Sequence, residues 1–466
     1  MRRLFLCALA FMIATLLPAT FMSSQAATEA SSAQGALADE ERPYRVVGYF
    51  TQWGKYGRNY HVKDIHTSGA AEKLTHINYA FGNVSTDYRC YMETRLGWGD
   101  ATADFESSYS AADSVDGVAD VPGQPIKGHF NQLKKLKTMY PHLKVLISLG
   151  GWSWSGRFSD AAMPEHREAF VKSCIDLYIR GNLPIWAFVS GGTPSAGLSN
   201  GRAYGVFDGI DVDWEYPASE GFPGDPKRGL PPNIYRPEDT ENFVALMAEF
   251  RRQLDEVGKE HGKDYLLTIA APPDRKRAAK MALDQAHPYL DFINIMAYDM
   301  AGAWARTGPT NFHAPLYASP DAPQTEDSPL SVDAAVNDFL GWGIPPNKIV
   351  VGVPFYGRGW TNVPNVANGL YQSDPAMRAA PAKWEDGIED YKILAASGAP
   401  TFRDEKSGAM WSYDGKTFWT YDDAQTLLAK MAYIRARGLG GAMIWSLDGD
   451  DRQGTLITAV FEGLMR

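Results

Sequence analysis

Cysteine is scarce in this sequence, with three in 466 residues. Cys7 lies in an N-terminal segment expected to be removed, which leaves Cys90 and Cys174. Two cysteines without a histidine-rich partner motif make no zinc site. In an oxidising compartment they pair as one disulfide, and otherwise they stay as two thiols; the sequence leaves both open. Long basic runs are absent and the formal net charge is −10, which excludes the electrostatic footprint of a nucleic-acid binder. Beyond the N-terminus every apolar run is strand-length, short of the ~20 residues of a membrane-spanning helix. No glycine-rich phosphate loop follows the first strand-like run. The densest acidic stretch lacks the sixth-position glycine and twelfth-position glutamate of a calcium loop. No short-period repeat is evident.

Apolar and aromatic residues are plentiful. Hydrophobic residues make up 45% of the chain and aromatics 12%, including 13 Trp and 23 Tyr, enough for a core larger than that of a usual domain. The first 26 residues read as a secretory signal peptide: two arginines, an apolar stretch, then Ser24-Gln25-Ala26 as a small-x-small cleavage pattern. A retained membrane anchor is the competing reading, weakened by Pro18 and by the shortness of the run. Residues 27–42 are small and polar and read as a disordered leader. Residues 43–466 then form either two domains or one large barrel with insertions.

Eight β-branched runs recur along that remainder: RVVGYF, LTHINYAF, LKVLISLG, FDGIDVDWE, YLLTIAA, DFINIMAYD, KIVVGVPFYG and GLGGAMIWSL. Amphipathic helix patterns lie between several of them, with Pro164 and Thr240 placed to start two helices. Eight alternating units predict an α/β fold, a (β/α)8 barrel, with a doubly wound open sheet as the structural alternative. Three connections exceed a plain loop: residues 83–124, a Gly/Ser-rich insert at 182–205, and about 357–418. The last contains WSYDGKTFWTYDD, which reads as hairpin material, and predicts a small α+β subdomain between strands seven and eight.

The stretch FDGIDVDWEYP carries the chemistry. Alternation along a strand puts Asp211, Asp213 and Glu215 on one face and Ile210, Val212 and Trp214 on the other. In a barrel the acidic face points inward and Glu215 nears the C-terminal mouth, where barrel enzymes carry their sites. Crowded carboxylates are costly to bury, so something uses them. A solvated strand face and Mg²⁺ binding are the bland and the metal alternatives. Other strands end in Phe81, Trp152, Tyr298 with Asp299, Tyr356 and Trp445. Gathered at one mouth they predict an aromatic-walled, acid-floored cleft, suited to sugar rings whose C–H faces stack on π-surfaces.

With these residues in view, the chain resembles glycoside hydrolase family 18 chitinases of the bacterial type, over roughly residues 45–466. The carriers are the DGxDxDxE pattern at Asp208, Asp211, Asp213 and Glu215, and the SxGG at Ser148, Gly150 and Gly151. The MxYD at Met296, Tyr298 and Asp299, VGVPFYGRGW and GGAMIWSLDGD add to them. The resemblance implies retaining hydrolysis of β-1,4 links in chitin and N-acetylglucosamine oligomers, assisted by the substrate's own 2-acetamido group. Glu215 is then the general acid and base, Asp213 the partner of the acetamido N–H, and Asp211 the sharer of a proton with Asp213. Tyr298 aims the acetamido oxygen, and Trp445 is the floor under the sugar. Substrate contacts are expected from Trp152, Tyr216, Phe81, Met296, Asp299, Tyr356, Arg358, Trp304 and Tyr49. The resemblance implies no metal or cofactor, a monomer, no membrane association after signal cleavage, and a secreted, extracellular or periplasmic, location. A lectin on the same barrel, an endo-N-acetylglucosaminidase and a transglycosylating variant are the competing functions.

Overall fold

The computed structural model describes residues 43–92, 99–184, 201–323 and 330–466. The expected signal peptide and leader, and most of the 182–205 insert, lie outside the described residues. Each of the eight strand-like runs forms a strand. They are β1 (Arg45–Thr51), β2 (His76–Val84), β3 (Lys144–Gly150), β4 (Gly209–Asp213), β5 (Leu266–Ala271), β6 (Phe292–Ile295), β7 (Ile349–Pro354) and β8 (Gly441–Trp445). All neighbouring pairs are parallel, and β1 pairs with both β2 and β8, so the sheet closes. The open-sheet alternative is thereby excluded, and the fold is the (β/α)8 barrel.

Alternation divides the apolar residues into two bodies. Ile210, Val212 and Trp214 face outward into the main core between strands and helices. A smaller cluster, including Val47, Phe292, Val350 and Met443, fills the barrel interior. The helix Asp239–His261 shows why these segments are helical. Phe243, Leu246, Met247, Phe250, Leu254 and Val257 recur at three- and four-residue spacing and are all buried, each stabilising by roughly 1.5–3 kcal/mol. The helix stops at Gly262, whose φ of 67° suits a residue without Cβ. It begins at Asp239 rather than Thr240, because the Asp239 carboxylate accepts from the Arg236 N–H at 2.7 Å and from Ser159 Oγ at 2.7 Å. Pro164 opens the helix Pro164–Cys174 as read.

A second, antiparallel sheet of six strands lies between β7 and β8. Its first strand, Tyr356–Thr361, is separated from β7 only by Phe355. The WSYDGKTFWTYDD stretch supplies the hairpin Ala409–Tyr413 and Thr417–Thr420. Trp360, Trp411, Tyr413 and Phe418 give this insertion a core of its own. Cys90 and Cys174 form a disulfide with Cα atoms 4.9 Å apart, joining the segment after β2 to the end of the helix Pro164–Cys174. Among the described residues, no helix is long and apolar enough to cross a membrane.

Candidate active site

Strand register assembles the site. Asp211 lies opposite Ser148 on β3 and Thr268 on β5, so three inward polar side chains meet in one layer. Asp211 is fully buried. Its Oδ2 accepts from Tyr49 Oη at 2.6 Å and Ser148 Oγ at 2.7 Å, and its Oδ1 from Thr268 Oγ1 at 2.6 Å and Asn294 Nδ2 at 3.4 Å. Burial raises its pKa while those donors pull it down. Both oxygens are taken by protein donors, but burial outweighs them and the net shift is upward.

Asp213, one layer nearer the mouth, is 4% exposed. Its Oδ1 has no hydrogen-bond partner among the described residues. Burial, then the fields of Glu215 and Asp211, push its carboxyl well above the usual range. No hydrogen bond joins it to Asp211, whose oxygens are already occupied; in this structure the two acids interact through their field. Glu215 lies just past the end of β4. Its backbone N–H donates to Ser155 Oγ at 2.9 Å, and its carbonyl accepts from Asn233 Nδ2 at 2.7 Å. Its carboxyl is pushed up to about 7, by burial first and by Asp299, against the lowering contact of Tyr216 and the charge of Arg277. A carboxyl poised there keeps its proton at neutral pH and can still release it.

On the other side of the cleft, Tyr298 directs its hydroxyl toward Met443 Sδ at 3.8 Å. Burial holds this phenol well above its ordinary range, so it is a donor. Asp299, at a φ of 57°, accepts from Tyr356 Oη at 2.6 Å and from Arg358 through two bonds of 2.7 and 2.6 Å. Burial alone would raise this carboxyl, but Arg358 and His313 hold it well below the carboxylate range. Arg358 in turn lies 5.1 Å from the ring centre of Trp304, which is 59% exposed.

Aromatic rings line the mouth in two groups. Phe81 and Trp445 stack at 5.6 Å and 19°, with Trp53 at 6.0 Å from Phe81 and 6.5 Å from Trp445. Across the carboxylates, the exposed Trp152 meets Tyr216 at 6.4 Å and Phe222 at 6.1 Å, and the Arg277 guanidinium covers Tyr216 at 5.3 Å. The SxGG glycines permit this packing. A Cβ on Gly150 would lie 2.3 Å from the Asp213 carbonyl oxygen, and one on Gly151 2.6 Å from the Phe81 ring.

Three of the expected contact residues are in contact with the protein itself. Tyr49 is buried beneath the carboxylates with its hydroxyl on Asp211, and Tyr356 is buried with its hydroxyl on Asp299. Met296 packs against the barrel-interior cluster. Tyr49 and Tyr356 hold Asp211 and Asp299 through their hydroxyls, while Met296 is partly buried, as Trp445 is. Asp208, the first acid of the motif, stands at the opposite end of β4 in ion pairs with Lys137 at 2.6 Å and Lys263 at 3.5 Å. Sequence reading missed Ser155, Asn233, Thr268 and Asn294, which carry no motif of their own. It also missed Trp53 and Tyr56, both exposed; the strand-end rule applied to β1 would have reached Trp53.

Residues 45–450 match the family described as glycosyl hydrolases family 18. Chitinase 63 of Streptomyces plicatus is 41% identical over 421 residues, covering 90% of this chain and 60% of that protein. Chitinase C of Streptomyces lividans is 42% identical over 411 residues, covering 88% and 58%. The chain thus spans about three fifths of the length of these relatives. Among solved structures, the catalytic domain of psychrophilic chitinase B from Arthrobacter TAD20 superposes with a TM-score of 0.83 at 41% identity, covering 92% of this chain and 97% of that one. Fold, carboxylate array and family match coincide over the same residues: the chain belongs to glycosyl hydrolases family 18.

Proposed function

We propose that this chain is a secreted chitinase that hydrolyses β-1,4 links between N-acetylglucosamine units with retention, assisted by the substrate's 2-acetamido group. The observation that carries the reading is the pairing of two unlike acids at the rim. Glu215 is poised near neutrality, and beside it Asp213 has an unpartnered oxygen facing no protein donor. The names of the relatives support the substrate class, and the Cys90–Cys174 disulfide supports export to an oxidising compartment.

In this reading the acetamido oxygen attacks the anomeric carbon while Glu215 gives its proton to the leaving glycosidic oxygen. The product is a cyclic oxazolinium, and an internal nucleophile of this kind reaches effective molarities of about 10⁵ M or more. Asp213 takes the acetamido N–H on Oδ1. As positive charge develops there, the ionised form of Asp213 is favoured; its proton passes to Asp211 when the two carboxyls turn into contact, and returns to Asp213 as the oxazolinium is hydrolysed. Three of the four donors on Asp211 are hydroxyls, which rotate to accept, so Asp211 can receive that proton without losing its partners. Tyr298 donates to the acetamido oxygen and aims it. Water then attacks the anomeric carbon from the vacated face, and Glu215 takes the water's proton back. Trp445 forms the floor under the reacting sugar, with Phe81, Trp152, Tyr216, Trp304, Asp299 and Arg358 as further sugar contacts.

Product analysis on defined N-acetylglucosamine oligomers tests the reading. Cleavage should retain the β-anomer, spare cellulose and fully deacetylated chitosan oligomers, and be blocked by a stable thiazoline analogue of the cyclised sugar. A glycosylated peptide containing Asp213 in quenched reactions would overturn substrate assistance.

A further inference from the structure

One cluster at the mouth takes no part in that chemistry. Arg58, on the loop after β1, is 19% exposed and forks onto Asp390 of the insertion, with bonds of 3.0 Å from Nε and 2.9 Å from Nη2. The same Nε lies 3.4 Å from Asp448 Oδ2, in the segment that follows Trp445. Asp390 and Asp448 are 4% and 2% exposed, so both are buried acids shared by one guanidinium. The guanidinium also lies over the Trp384 ring at 5.1 Å, and Trp384 Nε1 donates to Asp390 Oδ2 at 3.1 Å. The loop backbone is pressed onto that ring: a Cβ on Gly57 would fall 2.7 Å from Trp384 Cζ3. Asp448 accepts from Thr51 Oγ1 at 2.9 Å and from Ser446 Oγ. Lys392 of the insertion donates to the Asp448 carbonyl.

Three chain segments distant in sequence therefore meet on one side chain, with the Thr51 and Lys392 bonds to Asp448 as further links between pairs of them. Two of them carry exposed or half-exposed rings: Trp53 and Tyr56 on the Arg58 loop, and Trp445 on the end of β8. We propose that Arg58 is a positioning residue, a clasp that holds the Trp53–Tyr56 loop and the Trp445 segment against the insertion. The rings then form one continuous surface for sugar units remote from the cut bond. The inference rests on the reading of the cleft as an oligosaccharide site. A clasp of this kind affects long substrates, which reach the Trp53–Tyr56 loop, more than short ones on Trp445 and the carboxylates, because the Trp445 segment is also fixed by its pairing with β7 and by the Thr51 and Lys392 bonds to Asp448.

The test compares kcat and KM for N-acetylglucosamine hexamer and trimer in wild type, Arg58→Met and Arg58→Lys, each assayed well below its own melting temperature. Arg58→Met takes the guanidinium from two buried acids, leaving Asp390 with Lys392 at 3.3 Å and Trp384 and Asp448 with hydroxyl donors, and lowers the melting point. Arg58→Lys keeps the charge and loses the fork and the cover over Trp384. In both, hexamer kcat/KM should fall on the order of tenfold, mostly through KM, while trimer kcat/KM stays within about twofold. Equal losses on the two lengths, or an unchanged hexamer KM in Arg58→Lys, would overturn the clasp. A wild-type protein that cleaves neither oligomer would instead overturn the functional reading beneath it.

Discussion

The Ser155 hydroxyl accepts the backbone N–H of Glu215 at 2.9 Å while its own proton lies between the Gly151 carbonyl at 2.9 Å and the Asp213 carbonyl at 3.1 Å. One buried oxygen thus fixes the backbone where β4 gives way to the proposed acid. Ser155→Ala leaves the Glu215 N–H buried without an acceptor, which costs about 1–3 kcal/mol. Melting should fall by a few degrees. Turnover should fall by about tenfold or more with KM little changed, because a displaced acid is lost in the transition state and not in binding. A variant with full kcat and wild-type melting would show that Ser155 does not position the acid.

Replacing the acid itself separates stability from activity. Glu215 has an ordinary pKa of 4.5 and about 7 when folded. A raised carboxyl favours the folded state fully below pH 4.5, and that contribution is lost as pH rises through about 7. Glu215→Gln removes the penalty. Its melting point should match wild type near pH 4 and exceed it near pH 8, with a gain of up to ~3 kcal/mol. Turnover on chitin oligomers should fall by about 10²–10⁴-fold. Activity within tenfold of wild type would sink the assignment of Glu215.

The same shift sets a pH limb. kcat/KM should decline above about pH 7, by roughly tenfold per pH unit, as free-enzyme Glu215 loses its proton. Arg277 lowers the Glu215 pKa from beside the Tyr216 ring. Arg277→Met should move the alkaline limb upward, by a fraction of a unit, because that side chain is 42% exposed and partly screened. A limb that moved downward would contradict the sign.

Removing the platform is a binding test. Trp445→Ala takes away the ring that stacks with Phe81 and touches Tyr49. Calorimetry on a Glu215→Gln background should show oligosaccharide affinity reduced by about tenfold or more. Unchanged affinity would make Trp445 a core residue.

The disulfide offers a control for stability alone. It closes a sequence separation of 84 residues, for which the chain-entropy argument gives about 4–5 kcal/mol. Cys90→Ser with Cys174→Ser should melt well below wild type and, assayed below that temperature, retain kcat on oligomers. A large loss of kcat would mean that the pair shapes the cleft.

Much of this was legible in the residues. Eight β-branched runs are local signals, and period-two alternation in Ile210–Glu215 fixes which face is acidic. What alternation cannot supply is register across strands. Thr268 and Asn294 become partners of Asp211 only because β5 stands beside β4, and β6 beside β5, at particular heights. Strand-end position also says nothing of depth: Tyr356, just past the end of β7, is buried with its hydroxyl on Asp299, whereas Trp445 at the end of β8 is partly exposed. Pairing of Cys90 with Cys174 depended on the helix Pro164–Cys174 lying against the segment after β2, a tertiary fact absent from spacing.

The insertion begins with Tyr356 and Arg358, and both hold Asp299. It is therefore no removable graft. Cutting it out at its sheet boundaries would leave the barrel and Glu215 in place but strip Asp299 of the cation that neutralises it. An uncompensated acid would then face the cleft, and its field would push the Glu215 proton still tighter onto the carboxyl. Whatever first joined the two units, their modularity ended at Arg358: a shorter barrel of this design needs a substitute cation before it needs a substitute wall.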